Sequence, residues 1–213
     1  MQNLELKVRC LGATTLRQVE ALACSAGATY VRTVKHRDTY FPTAHARLKL
    51  REWWREDDRA DTASIANVAA DEAVRGPLQQ PEERTKEEGH ESGREGAVLI
   101  SSLPQERTGT RTSEYLVYPV SEPVALRALL SAALGVLVVV EKTRRFYRYG
   151  HTRIYLDEVK DLGAFVELET VVDEGITPGE ASAEHAALIS LLELDRLPVV
   201  PYSYSDLLSG QSD

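Results

Sequence analysis

The stretch TRIYLDEVKDLGAFVELETV, residues 152–171, decides the fold of this chain. Two runs of alternating apolar and polar residues, 153–157 and 165–169, flank a turn centred on Asp161-Leu162-Gly163, and this pattern predicts a β-hairpin. Successive side chains of a strand point to opposite faces, so one face of the hairpin is apolar and the other is charged. The apolar face requires a hydrophobic layer, whereas the charged face borders either bulk water or a wet cavity. The apolar face carries Ile154, Leu156, Val166 and Leu168, and the other face carries Arg153, Tyr155, Asp157, Phe165, Glu167 and Glu169.

The rest of the chain repeats this alternation in several predicted strands. Residues 2–10, QNLELKVRC, alternate strictly, and residues 45–52, HARLKLRE, place Arg47, Lys49 and Arg51 on one strand face. Adjacent like charges repel one another, so such a face is tolerable in water and favourable when an anion lies over it. Further strands are predicted at 28–41, 97–102, 109–120 and 136–149, the last with a buried apolar first half, and helices at 14–26, 122–134, 177–192 and 203–208.

Length and composition limit the class of protein. With 213 residues, 43% of them hydrophobic, the chain is long enough for one domain with a sizeable core. Its formal net charge of -8 gives no reason to expect a nucleic-acid partner. The longest apolar run, 129–140, is too short to cross a bilayer, the charged N-terminus does not fit a signal peptide, and two cysteines form no disulfide framework. A reduced cytoplasmic protein without a membrane partner is therefore predicted.

One segment departs from the strand pattern. Residues from about 56 to 96 are rich in Asp, Glu, Arg and Gln, with Pro77, Pro81 and several glycines and without a strong apolar stripe. This composition is typical of a solvated, largely disordered segment. We therefore expect a single domain, 1–213, with an insertion at about 56–96 that lies in a loop between strands.

The charged residues of the predicted strands lie close together if these strands form one sheet. With helices covering the apolar side, all of these charges share the opposite side, and a curled sheet encloses them in a channel. Arginine and lysine are the usual ligands of phosphate oxygens, and clustered carboxylates select hard cations such as Mg²⁺ or Mn²⁺. The chain contains no G-x-x-x-x-G-K-[ST] loop, so this is a phosphate site of another kind. The cations are Lys7, Arg9, Arg47, Lys49, Arg51, Arg111, Lys142, Arg144 and Arg153, and the carboxylates are Glu5, Asp157, Glu167 and Glu169.

Seven short segments, in order along nearly the whole chain, carry a family resemblance. They are Leu4–Lys7, Arg37–Phe41, Arg47–Glu52, Glu141–Arg145, Arg153–Glu158, Phe165–Glu169 and Tyr204–Leu208. The ordered set resembles the CYTH superfamily of triphosphate tunnel metalloenzymes, which includes class IV adenylate cyclases and thiamine triphosphatases, and the class IV adenylate cyclase branch is the most similar. The resemblance implies an α+β fold in which an antiparallel eight-stranded β-barrel forms a triphosphate tunnel, with helices packed outside.

The resemblance also implies functional roles. The protein would be a metal-dependent enzyme that converts ATP to cyclic AMP and pyrophosphate, with Mg²⁺ or Mn²⁺ as its cofactor. The alternative reaction is the hydrolysis of tripolyphosphate or thiamine triphosphate. The implied catalytic residues are Glu5, Lys7, Glu167 and Glu169. The implied metal ligands are Glu5, Asp157, Glu167 and Glu169, and the implied triphosphate ligands are Lys7, Arg47, Lys49, Arg51, Arg111, Lys142, Arg144 and Arg153.

One position departs from the pattern of the family. The N-terminal signature of the family is Glu-x-Glu-x-Lys, whereas this chain has Asn3 before Glu5 and Lys7. An amide offers a metal ion a neutral oxygen but no charge, so a polyphosphate or nucleotide binder without turnover is a further alternative. Asp38 and Tyr40 lie at matched positions without an assigned chemical role, and a turn is an equally good interpretation. Apolar residues of the outer layer are compatible with a homodimer.

Overall fold

The computed structural model describes residues 2–55, 95–102, 115–172 and 175–210. These residues form eight strands and four helices. The strands are β1 (Gln2–Cys10), β2 (Thr29–Phe41), β3 (Arg47–Arg55), β4 (Glu95–Ser102), β5 (Tyr115–Pro119), β6 (Val138–Tyr149), β7 (Thr152–Val159) and β8 (Gly163–Val172). The helices are α1 (Ala13–Ser25), α2 (Pro123–Leu134), α3 (Pro178–Leu191) and α4 (Tyr204–Leu208).

All eight strands belong to one antiparallel sheet with the order β1-β8-β7-β6-β2-β3-β4-β5. The α+β class and the eight-stranded antiparallel sheet are therefore confirmed. Hydrogen-bonded pairing within the described part of the chain ends at β1 on one side and at β5 on the other, so these strands form a barrel that no ladder closes. This open seam is the one difference from the predicted barrel.

The hairpin of residues 152–171 forms as the alternation predicts. Ile154 lies opposite Leu168 and Leu156 lies opposite Val166 across β7 and β8, and all four side chains are buried. The turn between the strands contains Asp161, whose φ of 65° is unusual for a residue with a side chain, and it ends at the start of β8. The apolar face of the hairpin therefore belongs to the core.

The main core lies between this apolar face and two helices. Leu16, Val19 and Ala23 of α1 and Leu188 of α3 pack against apolar residues of β1, β7 and β8. The spacing of the α1 residues places them on one side of the helix, as an amphipathic helix over a sheet requires. Leu126 and Leu130 of α2 cover a smaller cluster around Phe41, Leu50 and Ala97. Helices α1, α2 and α3 thus pack outside the barrel, as predicted.

Helix α4 does not follow this prediction. Its Tyr204 packs with Tyr40, Val140, Val159 and Phe165, which all belong to the charged side of the sheet, opposite α1 and α3. The helix begins with a capping box in which Ser203 and Asp206 bond to each other's backbone N–H groups. The expectation that every helix packs outside is therefore wrong for α4, because its apolar residues fill one end of the channel.

Several predicted boundaries also differ. The insertion at about 56–96 falls almost wholly on residues outside the described ranges, and 95–96 already belong to β4. Helix α1 begins at Ala13 after Gly12 rather than after Thr14 or Thr15. The predicted buried run at the start of β6 is wrong in part, because Val136, Leu137 and Val139 are exposed and Val140 is buried.

The turn between β6 and β7 depends on a glycine. Gly150 has a φ of 51°, and a Cβ atom there would overlap the Glu184 carboxylate. Glu184 Oε1 accepts hydrogen bonds from the His151 N–H (3.0 Å) and the Thr152 hydroxyl (2.6 Å), so it has little freedom to move away. This carboxylate fastens α3 to the start of β7.

We expect Gly150→Ala to lower the free energy of unfolding by about 3 kcal/mol. About 1 kcal/mol comes from the left-handed backbone, and each displaced hydrogen bond of Glu184 contributes about 1 kcal/mol. Gly163→Ala is the matched control, because Gly163 has a φ of 94° but a Cβ atom added there would meet no other atom within 4 Å. Urea unfolding of both variants checks the difference, and equal destabilisation would contradict the role of Glu184.

Candidate functional site

The charged face of the sheet lines the inside of the barrel. Side chains from β1, β2, β3, β6, β7 and β8 alternate onto this face, opposite the core under α1 and α3. Cations outnumber carboxylates there among the described residues, although the whole chain has a net charge of -8. We call this lining the tunnel face. Its cations include Lys7, Arg9, Arg47, Lys49, Arg51, Lys142, Arg144 and Arg153, and its carboxylates are Glu5, Asp38, Asp157, Glu167 and Glu169.

Asp157 lies at the centre of the largest polar network. Arg144 donates to both of its oxygens, Nε to Oδ1 at 2.7 Å and Nη2 to Oδ2 at 2.6 Å. Lys142 Nζ lies 3.4 Å from Oδ2, and the Tyr204 hydroxyl donates to the same oxygen at 2.9 Å. Asp157 is 0% exposed, and although its burial alone would raise the pKa of the carboxyl, Arg144 and Lys142 hold that pKa below its usual range. Asp157 is therefore an anion that orients two cations.

This arrangement bears on the predicted metal role of Asp157. Both oxygens already accept hydrogen bonds from the protein, three of them on Oδ2 and one on Oδ1, so a metal ion would share this carboxylate with Arg144. The metal role of Asp157 stays a prediction. In the structure, Asp157 contacts Arg144 and Lys142.

Glu167 continues the network towards β1. Lys7 Nζ lies 3.1 Å from its Oε1, and Arg144 donates to its Oε2. Burial disfavours the charged carboxylate, but Arg144 and Lys7 outweigh this effect and hold the pKa of Glu167 well below its usual range. Two predicted triphosphate ligands and one predicted metal ligand are thus in direct contact. Lys7 also donates to the Tyr202 carbonyl (3.2 Å) and lies over the Tyr204 ring at 4.4 Å.

Glu169 lies one step further along β8. Its Oε1 accepts a hydrogen bond from Asn3 Nδ2 at 2.7 Å, and Arg153 Nη1 lies 3.2 Å from Oε2. Glu5 lies directly opposite Glu169 in the β1–β8 register, and its side chain is exposed. Two carboxylates facing each other across a strand pair are destabilising unless a cation lies between or beside them. The predicted ligands Glu5, Glu169 and Arg153 are therefore brought together at the more open part of the tunnel face.

A second buried aspartate holds the cations of β3. Arg51 Nε donates to Asp38 Oδ1 at 2.8 Å, and Arg51 Nη2 donates to Asp38 Oδ2 at 2.7 Å. Lys49 Nζ lies 3.7 Å from Oδ2. Asp38 lies inside β2 rather than in a turn, so the turn interpretation of the sequence is wrong. Sequence reasoning missed this residue because its partners lie on a strand whose register the sequence does not reveal.

The C-terminal segment supplies further groups that the sequence did not assign. Asp206 pairs with Arg47, and Tyr204 reaches Asp157. Burial and the charges of Asp157 and Glu167 raise the pKa of Tyr204. The predicted triphosphate ligand Arg111 lies outside the described residues. The sequence did point to this segment, because Tyr204–Leu208 is one of the stretches that resemble the family. The resemblance did not, however, assign a role to Tyr204.

The donor set at Glu169 fits a hard cation such as Mg²⁺. Within residues 2–55, 95–102, 115–172 and 175–210, no three His, Cys, Asp or Glu side chains converge as a metal-binding group. Mg²⁺ commonly uses only one or two protein carboxylates together with substrate phosphates, so a complete protein cage is not required. The Asn3 Oδ1 atom is buried without a hydrogen-bond partner among the described residues, next to Glu169. An orphaned oxygen beside facing carboxylates is suited to a cation.

Comparison with known proteins identifies the fold family. A sequence profile of the CYTH domain matches residues 1–204. The chain belongs to the CYTH domain family. No curated protein sequence matches it significantly. No helix among the described residues is long and apolar enough to cross a membrane.

Solved structures share this CYTH fold at low sequence identity. The PH1012 protein of Pyrococcus horikoshii OT3 is 17% identical with a TM-score of 0.63, over 96% of this chain and 98% of that chain. The PH1819 protein of the same organism is 20% identical with a TM-score of 0.61, over 98% and 99%. A protein of Vibrio parahaemolyticus, whose name ascribes adenylate cyclase activity to it, is 15% identical with a TM-score of 0.57, over 98% of both chains.

The buried amine of Lys142 gives the site a pH dependence. Burial and the neighbouring Arg144 lower the pKa of Lys142 from 10.5 to about 8, although Asp157 and Glu167 oppose the change. Below pH 8 the amine is charged in both the folded and the unfolded chain, and burial of that charge costs stability. As the pH rises towards 10.5, the folded protein loses the proton before the unfolded chain does, so the penalty decreases.

We therefore expect the free energy of unfolding of the wild type, relative to Lys142→Met, to increase by about 3 kcal/mol between roughly pH 7 and pH 11. Denaturant titrations of both proteins across this range measure the difference. A difference that stays constant or decreases with pH would show that the folded-state pKa of Lys142 is not lowered.

Proposed function

We propose that this CYTH protein is a metal-dependent enzyme that binds a triphosphate along the tunnel face, with ATP cyclisation as its first candidate reaction. The observation that carries the proposal is the contact network of Lys142, Arg144 and Lys7 around Asp157 and Glu167. These cations lie inside a barrel, where their attraction for an anion is stronger than in bulk water.

The geometry supports a polyphosphate over a single phosphate. The cations come from four strands, β1, β3, β6 and β7, and extend from Arg47 and Lys49 to Arg153. An elongated anion with several phosphoryl groups can contact more of them at once than one phosphate can. Asp157 and Asp38 hold the guanidinium groups of Arg144 and Arg51 in fixed planes, which sets the directions from which these groups attract phosphate oxygens.

The carboxylates of β1 and β8 would hold the metal ion. Glu5, Glu167 and Glu169 supply anionic oxygens, and Asn3 supplies a neutral one. A bound Mg²⁺ or Mn²⁺ supplies positive charge to the phosphate oxygens and to the attacking oxygen. The protein's own part is to position the phosphates and to neutralise the charge that develops during transfer.

Two reactions are compatible with this arrangement. In a cyclase, the ribose 3′-oxygen attacks the α-phosphorus, its proton is lost, and the bond to pyrophosphate breaks. In a triphosphatase, water attacks the terminal phosphorus, the bond from that phosphorus to the bridging oxygen breaks, and the products are orthophosphate and the remaining diphosphate. The name given to the Vibrio parahaemolyticus protein with the same fold favours testing the cyclase first. We also propose that the protein is cytoplasmic and that it forms a homodimer.

A product assay with matched variants tests the proposal. Purified protein is incubated with ATP, tripolyphosphate or thiamine triphosphate, each with Mg²⁺ or Mn²⁺, and the products are resolved by chromatography. We expect cyclic AMP and pyrophosphate from ATP, and a loss of at least about 100-fold in Glu167→Ala, because a proposed metal ligand is removed and Lys7 and Arg144 each lose one carboxylate contact.

Glu141→Ala is the control for this assay. Glu141 lies on β6 and pairs with Arg37 and Lys160 on the outer surface, so its removal should leave turnover unchanged. Orthophosphate from tripolyphosphate or thiamine triphosphate would assign the protein to the triphosphatases. Absence of any metal-dependent product would refute the enzyme proposal.

One observation favours a second candidate function, a polyphosphate binder without turnover. Asn3 stands where the family signature has a glutamate, and its amide donates to Glu169 at 2.7 Å, occupying an oxygen that a metal ion would use. A neutral side chain also contributes less to holding a divalent ion than a carboxylate does. In this case the protein retains the tunnel and its affinity for polyphosphate but lacks a strong metal site.

Asn3→Glu separates the two candidates. If the wild type is a binder, we expect Asn3→Glu to tighten Mn²⁺ binding at least tenfold in calorimetry and to produce turnover that the wild type lacks. Asn3→Gln is the control, because it changes length without adding charge. Turnover by the wild type, reduced in Asn3→Glu, would exclude the binder.

A further inference from the structure

Asp38 is a buried carboxylate on the tunnel face that belongs to neither the predicted metal ligands nor the cations. It is 3% exposed and lies in the middle of β2, opposite Arg51 of β3 and Val140 of β6. Arg51 contacts it side-on through Nε and Nη2, and Arg51 itself is 5% exposed. Burial alone would raise the pKa of Asp38, but Arg51 and Lys49 hold that pKa far below its usual range. The carboxylate is therefore charged at every physiological pH.

Stability alone does not account for this pair. A buried ion pair loses its hydration, and replacing it with apolar residues of similar size is often neutral or stabilising. The outer surface of the same strands shows the ordinary alternative, since Arg37 and Glu141 form a pair there with 38% and 29% of their side chains exposed. The inner pair thus carries an energetic cost that the outer pair avoids, and a role in the site is the explanation for such a cost.

Asp38 contacts more than one cation of the tunnel face. One carboxylate serves both Arg51 and Lys49, and Lys142 is close enough to lower the pKa of Asp38 as well. A single carboxylate therefore fixes the positions of two predicted triphosphate ligands. Asp157 repeats this arrangement on β7, two strands away from β2 in the sheet, because it contacts Arg144 side-on and Lys142 with one oxygen.

We propose that Asp38 is a positioning residue, which holds the Arg51 guanidinium and the Lys49 amine in the orientation that binds the triphosphate. The inference rests on the proposed function of the tunnel. A free arginine side chain samples many rotamers, and fixing one of them before the ligand arrives removes that entropy from the cost of binding. The side-on contact uses two of the five N–H donors of Arg51 and sets the plane of the rest.

This role predicts an effect with the opposite sign from simple electrostatics. Asp38 is a negative charge close to an anion site, so removing it would strengthen anion binding if charge alone mattered. If Asp38 positions the cations, its removal or displacement weakens binding despite the more positive site. A purely structural role would change stability and leave the affinity of the folded protein unchanged.

Isothermal titration calorimetry with tripolyphosphate tests the proposal on the full chain in the presence of Mg²⁺. Asp38→Glu keeps the charge and shifts the carboxylate by one methylene, and we expect it to weaken binding at least tenfold. Asp38→Asn should weaken binding as well, and the losses caused by Asp38→Glu and Arg51→Lys should not add in the double variant, because both changes disturb the same contact. Glu141→Asp, an equal change in the outer pair with Arg37, should bind like the wild type. Thermal unfolding of each variant establishes that the folded protein is being titrated.

The outcomes separate this inference from the function on which it rests. Weakened binding by folded Asp38→Glu, with Glu141→Asp unchanged, supports the positioning role. Wild-type affinity in Asp38→Glu, or tighter binding in Asp38→Asn, overturns the positioning role and leaves the proposed function intact. A wild type that binds none of tripolyphosphate, ATP or thiamine triphosphate overturns the proposed function and the inference together.

Discussion

The tunnel face depends on the pairing of buried cations with buried carboxylates. Two aspartates, Asp38 and Asp157, each hold an arginine side-on and a lysine with one oxygen. Without these anions the buried cations would repel one another at close range. With them, the arginine and lysine side chains are held in defined positions, which a site for a polyanion requires. The other features of the site, including the position of Glu167 between Lys7 and Arg144, follow from this pairing.

Period-2 alternation made the fold readable from the sequence. The hairpin of residues 152–171 indicated a core face and a charged face, and the ladders of β7 with β6 and β8 show both. The alternation works because it is a property of each strand by itself, independent of its neighbours. The same logic correctly grouped Lys142, Arg144, Arg153 and Glu167 on one side of the sheet, and the family resemblance added the order in which the motifs occur.

Contacts between segments that are distant in the chain could not be predicted from the sequence. Asp38 meets Arg51 only because β2 and β3 pair in one register, and a shift of a single residue would turn one of the two side chains outward. Tyr204 reaches Asp157 because α4 enters the channel, although its short apolar pattern fits a surface helix equally well. The exposure of Leu137 and Val139 was missed for a related reason, since an apolar run does not reveal what covers it.

The contrast between an acidic chain and a basic tunnel has a kinetic consequence. A chain with a net charge of -8 repels a polyanion most strongly at low salt, and this repulsion is screened beyond the Debye length, which is about 8 Å at physiological ionic strength. Attraction begins only near the mouth of the tunnel, where the cations are closer to the ligand than the rest of the charge is. Encounter should therefore become faster as salt is added from very low concentrations, whereas the lifetime of the complex becomes shorter. The net negative charge of the chain therefore slows the first encounter with a polyanion, and capture depends on the short-range attraction of the tunnel cations.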